Sequence, residues 1–128
     1  MANRAADWMK QALADVGMAR TAEQAGRYEW SCFAAQQAAE KALKSLGLGR
    51  GLEAWGHSVA GLLFELDPGI EPDGALAEGA KELDQHYIPS RYPNGLPAGT
   101  PSELYTRTQA KRAIEHAERI IEWCQSHP

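Results

Sequence analysis

Residues 28–46 read YEWSCFAAQQAAEKALKSL, and their spacing decides the fold. Ala35, Ala39, Ala42 and Leu46 recur at steps of four, three and four, which places them on one stripe of an α-helix, with Trp30, Phe33 and Ala38 widening it. Gln36, Gln37, Glu40, Lys41 and Lys44 fall on the polar side. Glu40 stands four residues before Lys44, the favourable order for an ion pair within a helix. Alanine supplies 22 of the 128 residues, against two valines and five isoleucines, so the apolar content is that of helices and not of strands.

The same period extends outward from this helix. Ala5, Met9, Ala12, Val16 and Ala19 predict a first helix from about Arg4 to Glu23, with a turn at Gly26. Gly47-Leu48-Gly49-Arg50-Gly51 predicts a loop, because three glycines in five residues continue a helix poorly. A short third helix follows His57 through Leu62, Leu63 and Leu66, and Asp67-Pro68-Gly69 closes it. Asp73 is the expected N-cap of a fourth helix carrying Leu76, Ala80, Leu83 and Tyr87 on one face, stopped by Pro89. Ile88 to Gly99 reads as irregular. Thr100, Pro101 and Glu103 then have the spacing of a capped helix start, followed by an apolar stripe from Ala110 to Cys124. The expectation is an all-α protein, one domain over residues 1–128, folded as an antiparallel up-and-down four-helix bundle with an additional short helix. Alanine faces would let the helices approach closely, with the four tryptophans supplying bulk.

The net charge of −4 excludes a protein that coats nucleic acid through bulk positive charge. Its distribution is uneven. Residues 65–87 carry −6, whereas residues 88–112 carry +3 from Arg91, Arg107, Lys111 and Arg112 against Glu103. No apolar run approaches the roughly 20 residues that cross a bilayer, and residues 1–8 lack the pattern of a secretory leader, so no membrane association and a cytoplasmic location are expected. Cys32 and Cys124 read as buried reduced thiols.

The stretch Tyr87-Ile88-Pro89-Ser90-Arg91-Tyr92-Pro93-Asn94-Gly95 is more aromatic than a connector requires. Arginine offers a planar fork for phosphate, tyrosine a stacking face and asparagine a hydrogen-bonding edge, so Arg91, Tyr92 and Asn94, with Arg107 and Lys111, are the candidate nucleotide-binding residues. The purely structural alternative pairs Arg91 with an acid such as Asp84 and packs Tyr87 and Tyr92 against the bundle. His57, between Gly56 and Ser58, is the candidate acid or base. Glu82 and His86 are four apart but lack a third ligand at a suitable spacing, and no metal or cofactor is expected.

Three blocks in this order, residues 28–44, Gly56-His57-Ser58 with Leu62-Leu63, and Leu83-Asp84 with Tyr87 to Pro93, closely resemble the HEPN domain family. The resemblance covers nearly the whole chain. It implies a helical bundle, usually a homodimer, associated with nucleotide binding and often paired with a minimal nucleotidyltransferase in toxin–antitoxin modules. Many members are metal-independent ribonucleases that use an arginine followed, after four to six residues, by a histidine. Arg91 matches that arginine by position, but no histidine follows at that spacing. Arg50 and His57 have six residues between them, yet stand before the third helix and not at a late one. Arg91-Tyr92-Pro93 is similar to the sub-branch that includes the C-terminal HEPN domain of sacsin, linked to nucleotide binding. The leading expectation is therefore a homodimer that binds a nucleotide or RNA phosphate and acts with a nucleotidyltransferase. One alternative is a ribonuclease toxin with Arg91 or Arg50 at the phosphate and His57 as acid or base. The other is a non-catalytic interaction bundle, which exposure of Trp8 or Trp123 would favour.

Overall fold

In the computed structural model, which describes residues 3–53 and 55–128, the alanine stripes become helix–helix seams. α1 (Ala5–Gln24) lies against α2 (Tyr28–Gly49), and α2 lies against α6 (Arg107–Ser126). α3 (Val59–Leu66) and α4 (Ala75–Asp84) cover the remaining side of α2, with α4 also packed on α6. A one-turn helix, α5 (Pro101–Leu104), precedes α6. The fold is all-α, an up-and-down bundle with short additional helices, and no strand occurs among the described residues.

The core is small-residue rich: Ala12, Ala19, Ala35, Ala39, Ala42, Ala113 and Ala117 are buried with Leu43, Leu62, Leu63, Leu83 and Ile120. Such faces let two backbones approach, and the hydroxyls use that closeness. Ser31 Oγ donates to Ala19 O at 2.7 Å and Ser45 Oγ to Ala5 O at 2.6 Å, tying α2 to both ends of α1. The tryptophans do not supply core bulk. Trp30 and Trp55 are exposed, and Trp8 and Trp123 are only half-buried, because the close-packed alanine seams leave no space for an indole.

Three boundaries depart from the sequence reading. α2 continues through Gly47 and Gly49 and stops where Gly51 takes φ 75°, with Leu52 N donating to Gly47 O and Gly51 N to Leu48 O. These two bonds satisfy the last carbonyls, and only Gly51 needs glycine's left-handed freedom. α4 begins after Gly74 instead of Asp73 and ends at Asp84, so Tyr87 lies in the following turn. The Thr100 cap starts only the single turn of α5. Tyr105 is extended, and Thr106 with Gln109 forms a fresh capping box for α6. Pro93–Gly95 adds a turn of 3-10 helix within the irregular stretch.

Cys32 and Cys124 are free and buried, and burial pushes both thiols up to about 12, which removes them as nucleophiles. No helix among the described residues is long and apolar enough to cross a membrane.

His86 makes stability pH-dependent. It is buried in the turn after α4, with Nδ1 3.2 Å from Tyr105 Oη. Burial pushes its imidazole down to about 4, against the pull of the Glu82 carboxylate. The unfolded ring takes its proton near pH 6.5, so the stability present at pH 7 is lost as pH falls through that value toward 4, by about 3 kcal/mol. Urea unfolding at pH 7 and pH 4 should show this loss, and His86→Gln should remove it.

Candidate functional site

The turn that ends α4 is built around Pro89 and Ser90. Ser90 is buried and its hydroxyl donates to His86 O, while Arg91 N donates to Ile88 O at 3.0 Å. This folds Arg91 back over the residues that precede it. Its Nε and Nη2 donate to Tyr87 O at 2.9 and 2.8 Å, and the guanidinium lies 4.3 Å from the Phe33 ring, 4.9 Å from Tyr87 and 5.2 Å from Tyr92. Stacking on three rings and one carbonyl fixes the fork. Among the described residues no carboxylate pairs with it, and Nη1 is left to meet an anion.

Asp84 is engaged elsewhere. Its carboxylate accepts from Val59 N at 2.6 Å, Ser58 Oγ at 2.8 Å and Ala60 N at 3.1 Å, capping α3 where the backbone donors and the helix dipole favour a negative charge. This cap holds the segment preceding α3 beside the end of α4. As a result the His57 ring stacks on Tyr87, with centroids 4.8 Å apart and planes 18° apart. Arg91 and His57, 34 residues apart in sequence, thus share one tyrosine ring.

Two side chains of α2 hold His57 from below. Gln36 Nε2 donates to His57 O at 3.0 Å, and the Glu40 oxygens lie 3.2 and 3.4 Å from His57 Nδ1. A carboxylate only accepts, so Nδ1 carries the hydrogen and Nε2 is left outside the pair. Glu40 is itself buried, and also takes hydrogen bonds from Lys44 Nζ at 3.0 Å and Gln36 Nε2 at 3.3 Å. The arrangement is a fixed cation and an oriented imidazole on either end of an aromatic cluster, chemistry that can bind a phosphate and exchange a proton beside it.

The other predicted residues are placed separately. Tyr92 and Asn94 are exposed on the turn that continues from Arg91. Arg107 lies over the Tyr28 ring at 5.6 Å, and Lys111 pairs with Glu23 at 3.0 Å, so the contacts of both are with the start of α2 and the end of α1, not with Arg91. Arg50 donates to Leu66 O at 3.1 Å and His127 O at 2.7 Å, fastening the ends of α3 and α6, and forms no hydrogen bond with His57. Glu82 pairs with Arg112 at 2.7 Å while His86 faces Tyr105, and no group of three metal-ligating side chains occurs among the described residues. Sequence reasoning missed Gln36, Glu40 and Phe33 as parts of the site. Their only signal was the i, i+4 spacing of two polar residues on a helix otherwise rich in alanine.

Comparison with known proteins agrees with this fold. The HEPN domain pattern matches residues 5–127. A Methanocaldococcus jannaschii protein named "Putative toxin MJ1304" is 27% identical over 124 residues, covering 90% of this chain and 82% of that protein. The crystal structure of TT1696 from Thermus thermophilus superposes with a TM-score of 0.93 at 45% identity, covering 99% of this chain and 100% of that one. ST0689, described as an archaeal HEPN homologue, gives 0.80 at 40% identity with 98% of each chain covered. A HEPN domain protein from Thermotoga maritima gives 0.75 at 38%, covering 94% of this chain and 95% of its own. With its pattern matched almost from end to end, the chain belongs to the HEPN domain family.

Proposed function

We propose that the protein is a single-domain, homodimeric nucleotide- or RNA-binding HEPN module of the cytoplasm, acting with a minimal nucleotidyltransferase in a toxin–antitoxin-type pair. The observation that supports this reading most is Arg91, held over Phe33, Tyr87 and Tyr92 without a carboxylate partner among the described residues, with His57 stacked on the same Tyr87. A cation kept in place by rings and a carbonyl retains its charge for a phosphate, and the exposed Tyr92 and Asn94 stand beside it for a base. The toxin name carried by the archaeal relative is consistent with that role. Met18 and Trp30, exposed at the α1–α2 groove above Phe33, offer an apolar surface for a second copy. A fluorescent nucleotide titrated with the protein should show a saturable rise in anisotropy. A flat trace with adenine, guanine, cytosine and uracil nucleotides alike would contradict the proposal.

The Glu40–His57 pair favours a second reading, a metal-independent ribonuclease in which Arg91 stabilises the phosphate and His57 moves the proton. Cleavage of single-stranded RNA in excess chelator, reduced at least about 100-fold by His57→Ala, is the expected result under this reading. Cleavage that persists unchanged in that variant would exclude it.

A further inference from the structure

Two of the four tryptophans line one cavity of about 300 Å³ near the end of α2. Trp8 comes from α1, Lys44 and Leu48 from α2, and Glu53 and Trp55 from the segment that leads to α3. Lys44 stands eleven residues beyond Phe33, about 16 Å along the helix, so the cavity is not part of the Arg91 turn. Its volume is at the small end of ligand pockets, a size for one fused ring system.

The helical wall is fixed. Ser45 Oγ donates to Ala5 O and Asn3 Nδ2 to Leu48 O, both at 2.6 Å, which holds the start of α1 on the end of α2. Lys44 Nζ gives one hydrogen bond, to Glu40 at 3.0 Å, and lies 5.8 Å from the centre of the Trp8 ring, so the ammonium is held in place with donors to spare. The other wall is a turn. Gly51 and Gly56, at φ 75° and 88°, reverse the chain on either side of Glu53 and Trp55. Trp55 is 78% exposed and joins no aromatic pair among the described residues, and Glu53 joins no ion pair among them. Packing does not account for this indole, since a turn closed by two glycines forms as well around a polar residue and an indole in water forgoes the burial that its large area offers. Two ring faces on one cavity make a stacking platform.

The charges select the ring. Lys44 already sets a cation against Trp8, which disfavours a quaternary ammonium or any other cationic guest. An aliphatic anchor from another protein would cover the ammonium and the Glu53 carboxylate without pairing either. A planar ring with acceptors on one edge and adjacent N–H donors on the next satisfies both. Guanine presents O6 and N7 to an ammonium, and N1–H with its amino group to a carboxylate. Adenine carries an amino group in place of O6 and an acceptor at N1, so it sets donor against donor and acceptor against carboxylate. We infer that the Trp8–Trp55 cavity binds a guanine base, with its ring on the indoles, its acceptor edge toward Lys44 and its donor edge on Glu53. A free guanine nucleoside and an unpaired guanine of single-stranded RNA share this chemistry. The pocket needs no phosphate and does not rest on the function proposed for Arg91.

The test follows the indole N–H resonances of Trp8 and Trp55 by NMR during titration with guanosine, adenosine and an oligouridine carrying one guanine. Guanosine should shift both indoles saturably and bind at least about tenfold more tightly than adenosine. Trp55→Ala, an exposed change that leaves the core intact, should weaken guanosine binding about tenfold or more, read at Trp8. Glu53→Gln should bring the guanosine affinity down to that for adenosine, because an amide cannot accept from both guanine donors. Arg91→Ala should leave the guanosine titration unchanged, so that failure here and failure of the Arg91 site are told apart. An oligonucleotide guanine that binds as guanosine does identifies single-stranded RNA as the source; one that leaves the indoles unmoved assigns the cavity to free guanine nucleosides. Indoles static at millimolar guanosine, equal affinity for adenosine, a guanine preference kept in Glu53→Gln, full affinity in Trp55→Ala, or binding lost in Arg91→Ala would overturn the inference.

Discussion

Arg91→Ala is expected to abolish the calorimetric heat of nucleotide binding while leaving the helical melt almost in place. The guanidinium is the cation of the candidate site that is held by rings and a backbone carbonyl alone, so its loss removes the charge-assisted contact to phosphate, worth about 1.5–3 kcal/mol and a tenfold to hundredfold loss of affinity. Its structural part is smaller. Stacking at a half-buried position contributes roughly 1 kcal/mol, a shift of a few degrees in Tm for a domain of this size. Arg91→Lys separates the two effects. It keeps the charge but cannot donate twice to Tyr87 O or lie flat on Phe33, so binding should fall at least about tenfold in spite of the conserved charge. Equal affinity in Arg91→Lys would mean that charge alone, not the fixed fork, is recognised.

The second large effect is on stability. Glu40→Ala leaves the Lys44 ammonium, which is 15% exposed, without its carboxylate, and removes one acceptor of Gln36 Nε2 and the partner of His57 Nδ1. Breaking a buried pair by removing one partner costs about 3–5 kcal/mol, and the neighbouring surface that lets water in brings the expected loss to about 2–4 kcal/mol. The urea midpoint should drop accordingly. Replacing Glu40 and Lys44 together by leucine and methionine should recover most of the loss, since no buried charge then remains. His57 would still lose its orienting partner in that double variant, so the ribonuclease reading expects a stable protein with impaired cleavage. A Glu40→Ala protein as stable as the wild type would show that the network does not hold the segment before α3.

Local spacing made the helices legible and left the site largely hidden. The 28–46 stripe fixed α2, and with it the bundle, because alanine and leucine at steps of three and four have one helical face to occupy. Its end was misplaced since glycine content marks flexibility, whereas the helix stops where a left-handed residue is needed, at Gly51. The Thr106–Gln109 capping box is written in the sequence as plainly as Thr100–Glu103, but nothing local says that Tyr105 interrupts the helix between them. Gln36 and Glu40 looked solvent-facing because the segment that covers them, residues 56–58, comes from beyond a glycine-rich turn. Arg91 and His57 could each be named from residue chemistry, yet their meeting across Tyr87 depends on Asp84 capping α3, a tertiary bond with no signature in spacing. The +3 charge of residues 88–112 dispersed for the same reason. Lys111 turns to Glu23 and Arg112 to Glu82, leaving Arg91 alone at its turn.

The central claim is that Arg91 and His57 belong to one nucleotide site. It is tested most directly by the ring resonances of His57 during titration with a nucleotide. The expected result is a His57 shift that saturates at the same concentration as the calorimetric heat and disappears in Arg91→Ala. Saturable heat with His57 unmoved, or a His57 shift that persists in Arg91→Ala, would contradict it.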